Sequence, residues 1–289
     1  MTSLSHEFLE RCEGLRPFVE RAWGQRVLGR PGDRGPVLAA LQATGQADYA
    51  TGDDFRNVDW NRAARLDELV VRQYRGVETG VVNLILDRSA SMSIGSPTKF
   101  ALAQQLAAAM GYFALAAGRQ VRLEGVPSFT GRREAPAMLR ALEEFSPVGD
   151  GTALNDVVNS VARRLRRGDM AVVLSDLLDP AGLEPLIAPF ARPAEQLLVV
   201  QVLAAEDLEP SCLDRLDLRD VESGHSLSIE LWEEDLATYR ATAAEFCRGV
   251  RRFCAAREIP LVQLRTDARF ERSLEHLIQV TAMQPAGQH

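Results

Sequence analysis

The sequence predicts an α/β protein built on a mostly parallel, doubly wound sheet that is flanked by helices. Near-continuous apolar runs such as VVNLIL, AVVL and LLVVQVL are the first observation behind this fold class, because strands buried on both faces have this composition. Stretches with helical periodicity separate these runs, which is the second observation. A regular alternation of strands and helices favours parallel pairing, with helices on both faces of the sheet.

Strand and helix candidates alternate along most of the chain. The strand candidates are Leu69–Tyr74, Val81–Leu86, Gln120–Val126, Met170–Leu174, Gln196–Leu203 and Pro260–Leu264. The helix candidates are Lys99–Ala117, Pro136–Phe145, Ala153–Arg167, Leu183–Phe190, Glu233–Arg257 and Phe270–Val280. Typical lengths of strands and helices fit these spans, which supports the alternation.

The N-terminal region has a different pattern. Residues 4–24 carry apolar side chains at helical spacing and predict a helix that Pro17 kinks or splits. Residues 25–52 are rich in glycine, proline and polar residues, so we expect irregular structure there. Asp53 or Asp54 is then placed to cap a further helix.

These signals predict the domain organisation. An N-terminal helical and irregular extension (1–75) precedes an α/β domain (76–283), and a short tail (284–289) follows. Within the α/β domain, the segments 217–222 and 225–231 flank the turn signal Ser-Gly. We therefore expect a β-hairpin insertion at about 215–232.

Composition excludes several classes of function. A formal charge of -7 argues against nonspecific binding to nucleic acid or to an anionic membrane surface. The four cysteines are far apart and form no C-x-x-C pair, which argues against a zinc site and a disulfide framework. Glutamates interrupt the N-terminal helix where a signal peptide needs an apolar core. The most apolar stretch, 101–118, predicts a buried helix and not a membrane span. We expect a cytoplasmic protein.

A short polar motif, Asp87-x-Ser89-x-Ser91, directly follows the apolar run VVNLIL. Alternate residues of an extended segment face the same side, so these three side chains can converge. Asp176 follows a second predicted strand, and Thr152 follows two glycines in a loop that precedes a predicted helix. Because ligands gather at the carboxyl ends of strands in open α/β sheets, we expect these five residues to share one site.

Hydroxyl and carboxylate oxygens of this kind suit a hard divalent cation. Magnesium is the expected ion, with manganese or calcium as alternatives, because magnesium takes oxygen ligands at roughly 2.0–2.1 Å and keeps several waters. A ligand set with few anionic groups leaves a coordination position for a carboxylate from another molecule. The D-x-S-x-S pattern alone also fits a capped turn that starts a helix. Its position after a buried strand favours the metal site.

The runs LILDRSASM, GDGTALND and VVLSDLLD together resemble the metal-ion-dependent adhesion site of von Willebrand factor A domains. The upstream run TGDDFRNVDWNRAAR, followed by VVRQYRGVE, is similar to a bacterial family catalogued as domain of unknown function fifty-eight, in which a Gly-Asp…Arg…Asp-Trp…Ala-Arg signature precedes an A-like domain. The resemblance covers about residues 45–280. The signature positions, whose role in the family is unknown, are Gly52, Asp53, Arg56, Asp59, Trp60, Ala64 and Arg65.

The resemblance implies a von Willebrand factor A-like (Rossmann-like) sheet and a magnesium ion shared by the D-x-S-x-S loop, Thr152 and Asp176. It also implies a protein that works by binding another protein through that metal and has no catalytic residues. Members of the family are often encoded beside MoxR-type AAA+ ATPases, so such an ATPase or its client is the expected partner. Many members carry a membrane hairpin ahead of the signature, whereas this sequence predicts no membrane span there.

Two other functions remain open. A hydrolase could use the same metal to activate water, and a passive scaffold could retain the fold with an inactive site. Other enzyme classes lack their motifs, since neither a phosphate-binding loop nor a G-x-S-x-G serine motif is present. A haloacid-dehalogenase type of phosphatase would need D-x-D, and Ser89 stands where its second carboxylate belongs.

Overall fold

A computed structural model describes residue 4 and residues 6–28, 41–48, 70–76, 80–147, 154–166, 168–179, 182–190, 196–210, 214–219 and 226–282. The chain divides into two compact units. The larger contains residues 1–28 and 80–289, and the smaller contains residues 29–79. The sequence-based boundary at residue 75 grouped the first helix with the residues after it, whereas its contacts place it in the larger unit.

The larger unit is an α/β domain with one central six-stranded sheet. Its strands are β3 (Val81–Leu86), β4 (Gln120–Leu123), β5 (Phe129–Thr130), β6 (Met170–Ser175), β7 (Gln196–Leu203) and β10 (Leu261–Arg265), arranged in the order β10-β7-β6-β3-β4-β5. All neighbours pair in parallel except β4 and β5, which are antiparallel. The prediction of a mostly parallel α/β sheet is therefore confirmed.

Helices cover both faces of this sheet. Their bounds are α1 (His6–Leu28), α2 (Lys99–Ala116), α3 (Ala135–Glu143), α4 (Leu154–Ala162), α5 (Glu184–Ile187), α6 (Ala205–Leu208), α7 (Glu233–Ala255) and α8 (Phe270–Ala282). One apolar core joins the sheet to α1, α2, α3 and α8, and the other joins the opposite face to α4, α5 and α7. This three-layer arrangement explains why the central strands are apolar on both faces.

The most apolar helix, α2, lies in the middle of one layer. Nearly all of its residues are buried, including Leu106, Ala107 and Phe113. The predicted buried core helix is therefore confirmed. Among the helices that the structure describes, none combines the length and the apolar character that crossing a bilayer requires.

The first helix, α1, packs against α8 and α2. Phe8, Cys12 and Val19 are buried in the same core as α2. The Phe8 ring lies 5.5 Å from the ring of Phe270 in α8, and burial raises the pKa of the Cys12 thiol to about 12. Helix α1 continues through its internal proline without a break in its described bounds. It completes the core of the larger unit although residues 29–79 separate it in sequence from the rest of that unit.

Two antiparallel strand pairs in the described part of the chain lie outside the central sheet. In the smaller unit, β1 (Leu41–Asp48) pairs with β2 (Val70–Gly76). Irregular structure was expected for residues 25–52, so the strand at 41–48 corrects that expectation. In the larger unit, β8 (Asp214–Arg219) pairs with β9 (Ser226–Leu231), as the turn signal predicted. The helix expected from Asp53 or Asp54 lies outside the described residues.

The amino ends of β3 and β6 are tied together closely. The Asp169 carboxylate accepts a hydrogen bond from the Val81 backbone N–H at 2.7 Å. The Arg119 guanidinium donates to the carbonyl oxygens of Gly80 at 3.0 Å and Gly168 at 2.8 Å. A Cβ added at Gly80 would lie 1.7 Å from the Gly168 carbonyl oxygen. Glycine is therefore required at position 80, because backbone atoms cannot move aside as a flexible side chain can.

We predict that Gly80→Ala destabilises the protein, whereas Gly249→Ala does not. The first substitution forces the backbone of residues 80 and 168 apart and should lower the free energy of unfolding by about 1–3 kcal/mol. Gly249 lies inside α7 with no atom near its added Cβ, so the same change there should raise stability by roughly 0.5–1 kcal/mol. Urea unfolding monitored by circular dichroism measures both. Equal effects of the two substitutions would contradict the packing described here.

Candidate metal site

The candidate site lies where the connections of the sheet diverge. From β3 the chain passes through α2 to β4, and from β6 it passes through α5 to β7 on the other side of the sheet. Helices α2 and α5 belong to cores on opposite faces. The neighbouring strands β3 and β6 therefore form the switch point of the sheet, and a crevice opens at their carboxyl ends. Ligands of doubly wound sheets bind in such crevices.

The loop after β3 brings three predicted residues into this crevice. The Asp87 backbone N–H donates to the Leu174 carbonyl oxygen of β6 at 2.9 Å, which continues the pairing of the two strands. A 3-10 turn, Ala90–Ser93, then buries Met92 and turns the chain. The hydroxyl oxygens of Ser89 and Ser91 lie 3.0 Å apart as a result and share a hydrogen bond.

The Asp87 carboxylate accepts one hydrogen bond from the loop after β3 and one from the end of β6. One carboxylate oxygen accepts from the Ser89 backbone N–H at 2.9 Å, and the other accepts from the Ser175 hydroxyl at 2.5 Å. Burial raises the pKa of the Asp87 carboxyl, the bonds from Ser175 and Ser89 lower it, and the negative charge of Asp176 raises it again. A nearby cation would offset both the burial and the repulsion from Asp176.

Asp176 follows β6 in a strained turn. Leu177, directly after it, has φ of 63°, a left-handed conformation that leucine rarely adopts and that costs about 1–3 kcal/mol. The Leu177 N–H donates to the Ser175 hydroxyl at 2.9 Å, and the Leu178 N–H donates to an Asp176 carboxylate oxygen at 3.0 Å. Gln201 of β7 donates to the Asp176 carbonyl oxygen at 3.1 Å. These bonds fix the turn, and the bond from Leu178 orients the Asp176 carboxylate.

A buried lysine forms ion pairs at the same edge. The Lys99 side chain is fully buried, and its Nζ lies 2.7 Å from Asp176 Oδ2 and 3.0 Å from Asp207 Oδ2. Asp207 belongs to α6, which follows β7, and it also accepts a hydrogen bond from the Ala204 N–H at 2.8 Å. Lysine is almost never fully buried unless it is paired. Two carboxylates from separate strand ends therefore hold this ammonium group inside the protein.

The hydroxyl pair fits the geometry of a magnesium site. Adjacent ligands of an octahedral ion with bonds of roughly 2.0–2.1 Å lie about 3 Å apart, and the Ser89 and Ser91 oxygens are separated by 3.0 Å. Within the described part of the chain, no three carboxylate, imidazole or thiol groups gather closely enough to hold a metal by themselves. A cation at this edge would therefore depend on serine hydroxyls, water and the carboxylates of Asp87 and Asp176.

The structure brings together four of the five predicted site residues, namely Asp87, Ser89, Ser91 and Asp176, at the ends of β3 and β6. Thr152 lies outside the described residues. The signature positions Gly52, Asp53, Arg56, Asp59, Trp60, Ala64 and Arg65 also lie outside them.

Three residues of this edge were not among the predicted site residues: Ser175, Lys99 and Asp207. Ser175 could have been found as the last residue of a buried strand beside Asp176. Asp207 follows the run LLVVQVL, so the carboxyl end of that strand was a signal as well. Lys99 gave a weaker signal, because a lysine at the start of a helix is usually exposed.

The chain matches a known protein family. Residues 46–247 match the family model described as "Protein of unknown function DUF58". An uncharacterised protein of Mycobacterium tuberculosis is 34% identical over 242 residues, which cover 76% of this chain and 73% of that protein. An uncharacterised protein of Mycobacterium avium is 31% identical over 149 residues, which cover 49% of this chain and 85% of that protein.

Two solved structures also match part of the chain. One is the crystal structure of the conserved hypothetical protein BatB from Bacteroides thetaiotaomicron, with a TM-score of 0.42, 18% identity and coverage of 70% of this chain and 97% of that one. The other is an aerotolerance-related membrane protein from Bacteroides fragilis with multiple mutations to serines, with a TM-score of 0.40, 18% identity and coverage of 71% and 100%.

We predict that Ser175→Ala destabilises the protein by about 1–3 kcal/mol, because it removes the hydroxyl that donates to the buried Asp87 carboxylate and accepts from the Leu177 N–H. Ser93→Ala is the matched control, since Ser93 is exposed and its hydroxyl donates to the nearby Ala90 carbonyl oxygen. That change should stay within roughly 0.5 kcal/mol of the wild type. Chemical denaturation of the three proteins gives the comparison, and a neutral Ser175→Ala would refute the proposed role of this hydroxyl.

Proposed function

Because the chain belongs to the family described as "Protein of unknown function DUF58", we propose that it is a non-enzymatic, magnesium-dependent module for binding another protein. Its metal would occupy a site of the von Willebrand factor A type and bind a carboxylate of the partner. The observation that carries this proposal is the 3.0 Å separation of the Ser89 and Ser91 hydroxyls at the switch point of the sheet. At that distance the two hydroxyls share a hydrogen bond, and the same separation matches the one that adjacent magnesium ligands need.

Each residue of the site has a separate task. Ser89 and Ser91 would bind the cation through their hydroxyl oxygens, while Asp87 and Asp176, each already accepting hydrogen bonds, would act mainly through water. Thr152 would contribute a further hydroxyl if it follows the resemblance. The bound ion would supply a positive charge that neutral hydroxyl ligands leave largely uncompensated. Such a centre attracts an anionic group from outside.

The rim of the crevice suits an acidic partner segment. Arg88 lies between the ligands Asp87 and Ser89 in sequence and is exposed. Its Nε donates to the Ser146 carbonyl oxygen at 2.9 Å, and its guanidinium lies 5.1 Å from the centre of the Phe145 ring. These contacts hold the positive group at the surface beside the loop, where it can pair with a carboxylate. Leu178, two residues after Asp176, is exposed and offers apolar contact.

A MoxR-type AAA+ ATPase or its client is the partner that the family resemblance suggests. In this proposal, the module docks through its metal and works with the ATPase in assembly or maturation of other proteins. The ATPase would supply the energy, and this chain would supply recognition. The support for this partner is the resemblance alone, whereas the support for a carboxylate-binding site is the geometry of the crevice.

We predict that magnesium binding depends on Asp87. Isothermal titration calorimetry with magnesium or manganese should give saturable heat for the wild type, and Asp87→Ala should weaken affinity by about 10–100-fold, as for other groups that orient metal ligands. The matched control is Asp267→Ala. Asp267 also follows a strand of the sheet, but it is exposed and paired with Arg265. Absence of heat with the wild type would favour a scaffold with an inactive site.

Partner binding should follow the same dependence. Affinity purification under magnesium, followed by mass spectrometry, should recover a partner that is lost with EDTA and with Asp87→Ala but kept with Asp267→Ala. A partner that binds equally in all four conditions would remove the metal bridge from the proposal. Magnesium-stimulated turnover in a phosphoesterase and peptidase screen, if lost in Asp176→Ala, would instead support the hydrolase alternative.

A further inference from the structure

Lys99 occupies a position that electrostatics alone disfavours. It is the first residue of α2, next to the N-cap Thr98, where the helix dipole is positive and a cation is unfavourable. Its side chain is also fully buried, so its ammonium group has lost its hydration. The carboxylates of Asp176 and Asp207, at 2.7 and 3.0 Å, offset both costs.

The same ion pair commits one oxygen of a candidate metal ligand. Asp176 Oδ2 accepts from the Lys99 ammonium at 2.7 Å, and Oδ1 accepts from the Leu178 N–H at 3.0 Å. Both oxygens of this carboxylate therefore have donors within the protein. Direct coordination of a cation by Asp176 would compete with the ammonium group. An intervening water would leave the ion pair intact.

We propose that Lys99 is a positioning residue that keeps Asp176 from coordinating the metal directly and so weakens metal binding. The proposal rests on the cation site described above. It adds that Lys99 controls how much of the cation's positive charge stays uncompensated. With Asp176 paired to Lys99, the cation keeps an additional water and a larger uncompensated positive charge. It then binds a partner's carboxylate more strongly than a cation neutralised by Asp176 would.

Asp207 determines how strongly Lys99 acts on Asp176. The ammonium group is shared between the two carboxylates, and Asp207 Oδ2 is fixed by the Ala204 N–H at 2.8 Å. An asparagine at this position can keep that hydrogen bond while it removes the negative charge. Lys99 would then lie beside a single carboxylate, with its positive charge less compensated. The cation site would experience a stronger repulsion.

Two substitutions should therefore change metal affinity in opposite directions. Lys99→Met removes the positive charge at similar length and should tighten magnesium and manganese binding by about tenfold or more, because a charge within a few ångströms has a large effect in a partly buried site. Asp207→Asn should weaken binding of both ions by about tenfold. A purely structural role would weaken binding in both variants, since both disturb the same buried ion pairs.

The number of waters on the ion provides a second readout. Water-proton relaxation of bound manganese should report one fewer coordinated water in Lys99→Met than in the wild type, because Asp176 replaces it. The count in Asp207→Asn should equal that of the wild type. An unchanged water count in Lys99→Met, together with unchanged affinity, would overturn the proposal.

Lys99→Met leaves two carboxylates without their cation, which lowers the stability of the folded protein. Its effect on metal binding therefore needs a control for that loss of stability. Of the charges of Lys99, Asp176 and Asp207, the double variant Lys99→Met/Asp207→Asn retains only that of Asp176. It is compared with Asp207→Asn. Tighter metal binding in the double variant supports the proposal, and equal or weaker binding overturns it. The rise in melting temperature on adding magnesium should likewise be larger in the double variant than in Asp207→Asn.

The outcomes separate this inference from the proposed function. Metal binding that is equal in the wild type and both single variants would reject the role of Lys99 and leave the metal-dependent module standing. Absence of metal binding in every protein would reject the metal site itself and the inference with it. Binding that becomes measurable only after loss of Lys99 would support the inference while it excludes a resting metal in the wild type.

Discussion

The parallel pairing of β3 with β6 is the constraint on which the rest of this structure depends. It sets two strand ends side by side while their following helices pass to opposite faces of the sheet. A crevice between them is unavoidable, because no connection can cover both strand ends at once. Asp87, Ser175 and Asp176 lie on this edge, and the hydrogen bond from Ser175 to Asp87 depends on the register of the two strands. At the opposite edge, Arg119 and Asp169 hold that register.

A buried cation of the protein itself compensates part of the negative charge at the crevice. Lys99 lies between Asp176 and Asp207 with no exposure to water, so part of the negative charge at this edge is already compensated. A divalent cation entering the crevice would meet mainly the hydroxyls of Ser89 and Ser91 and the carboxylate of Asp87. Buried ion pairs of this kind contribute little net stability compared with apolar packing. Their value here is the control of charge at the site.

Much of the fold could be predicted because the central strands are apolar on both faces, and Val81–Leu86 and Gln196–Leu203 match their predicted bounds. Other elements gave little signal. The strand Leu41–Asp48 is polar and contains a glycine at a shift in register, and Phe129–Thr130 is too short to show a periodicity. The loop after β3 and Asp176 were predicted from their positions after strands. Lys99 could not be recognised, because its burial depends on two acidic residues that only the tertiary fold brings to it.

Because α1 belongs to the larger unit, the smaller unit is an insertion within the sequence of the larger one. Helix α1 contributes Phe8, Cys12 and Val19 to the core of the larger unit, which then continues at residue 80. Residues 29–79 are thus tethered at both ends to one folded body. A cut within that insertion would divide the backbone and leave the core contacts of Phe8, Cys12 and Val19 in place. Because both tethers belong to one body, tension applied to the smaller unit would act on α1 and on the start of β3 together, and the stability of the main core would resist it at both points.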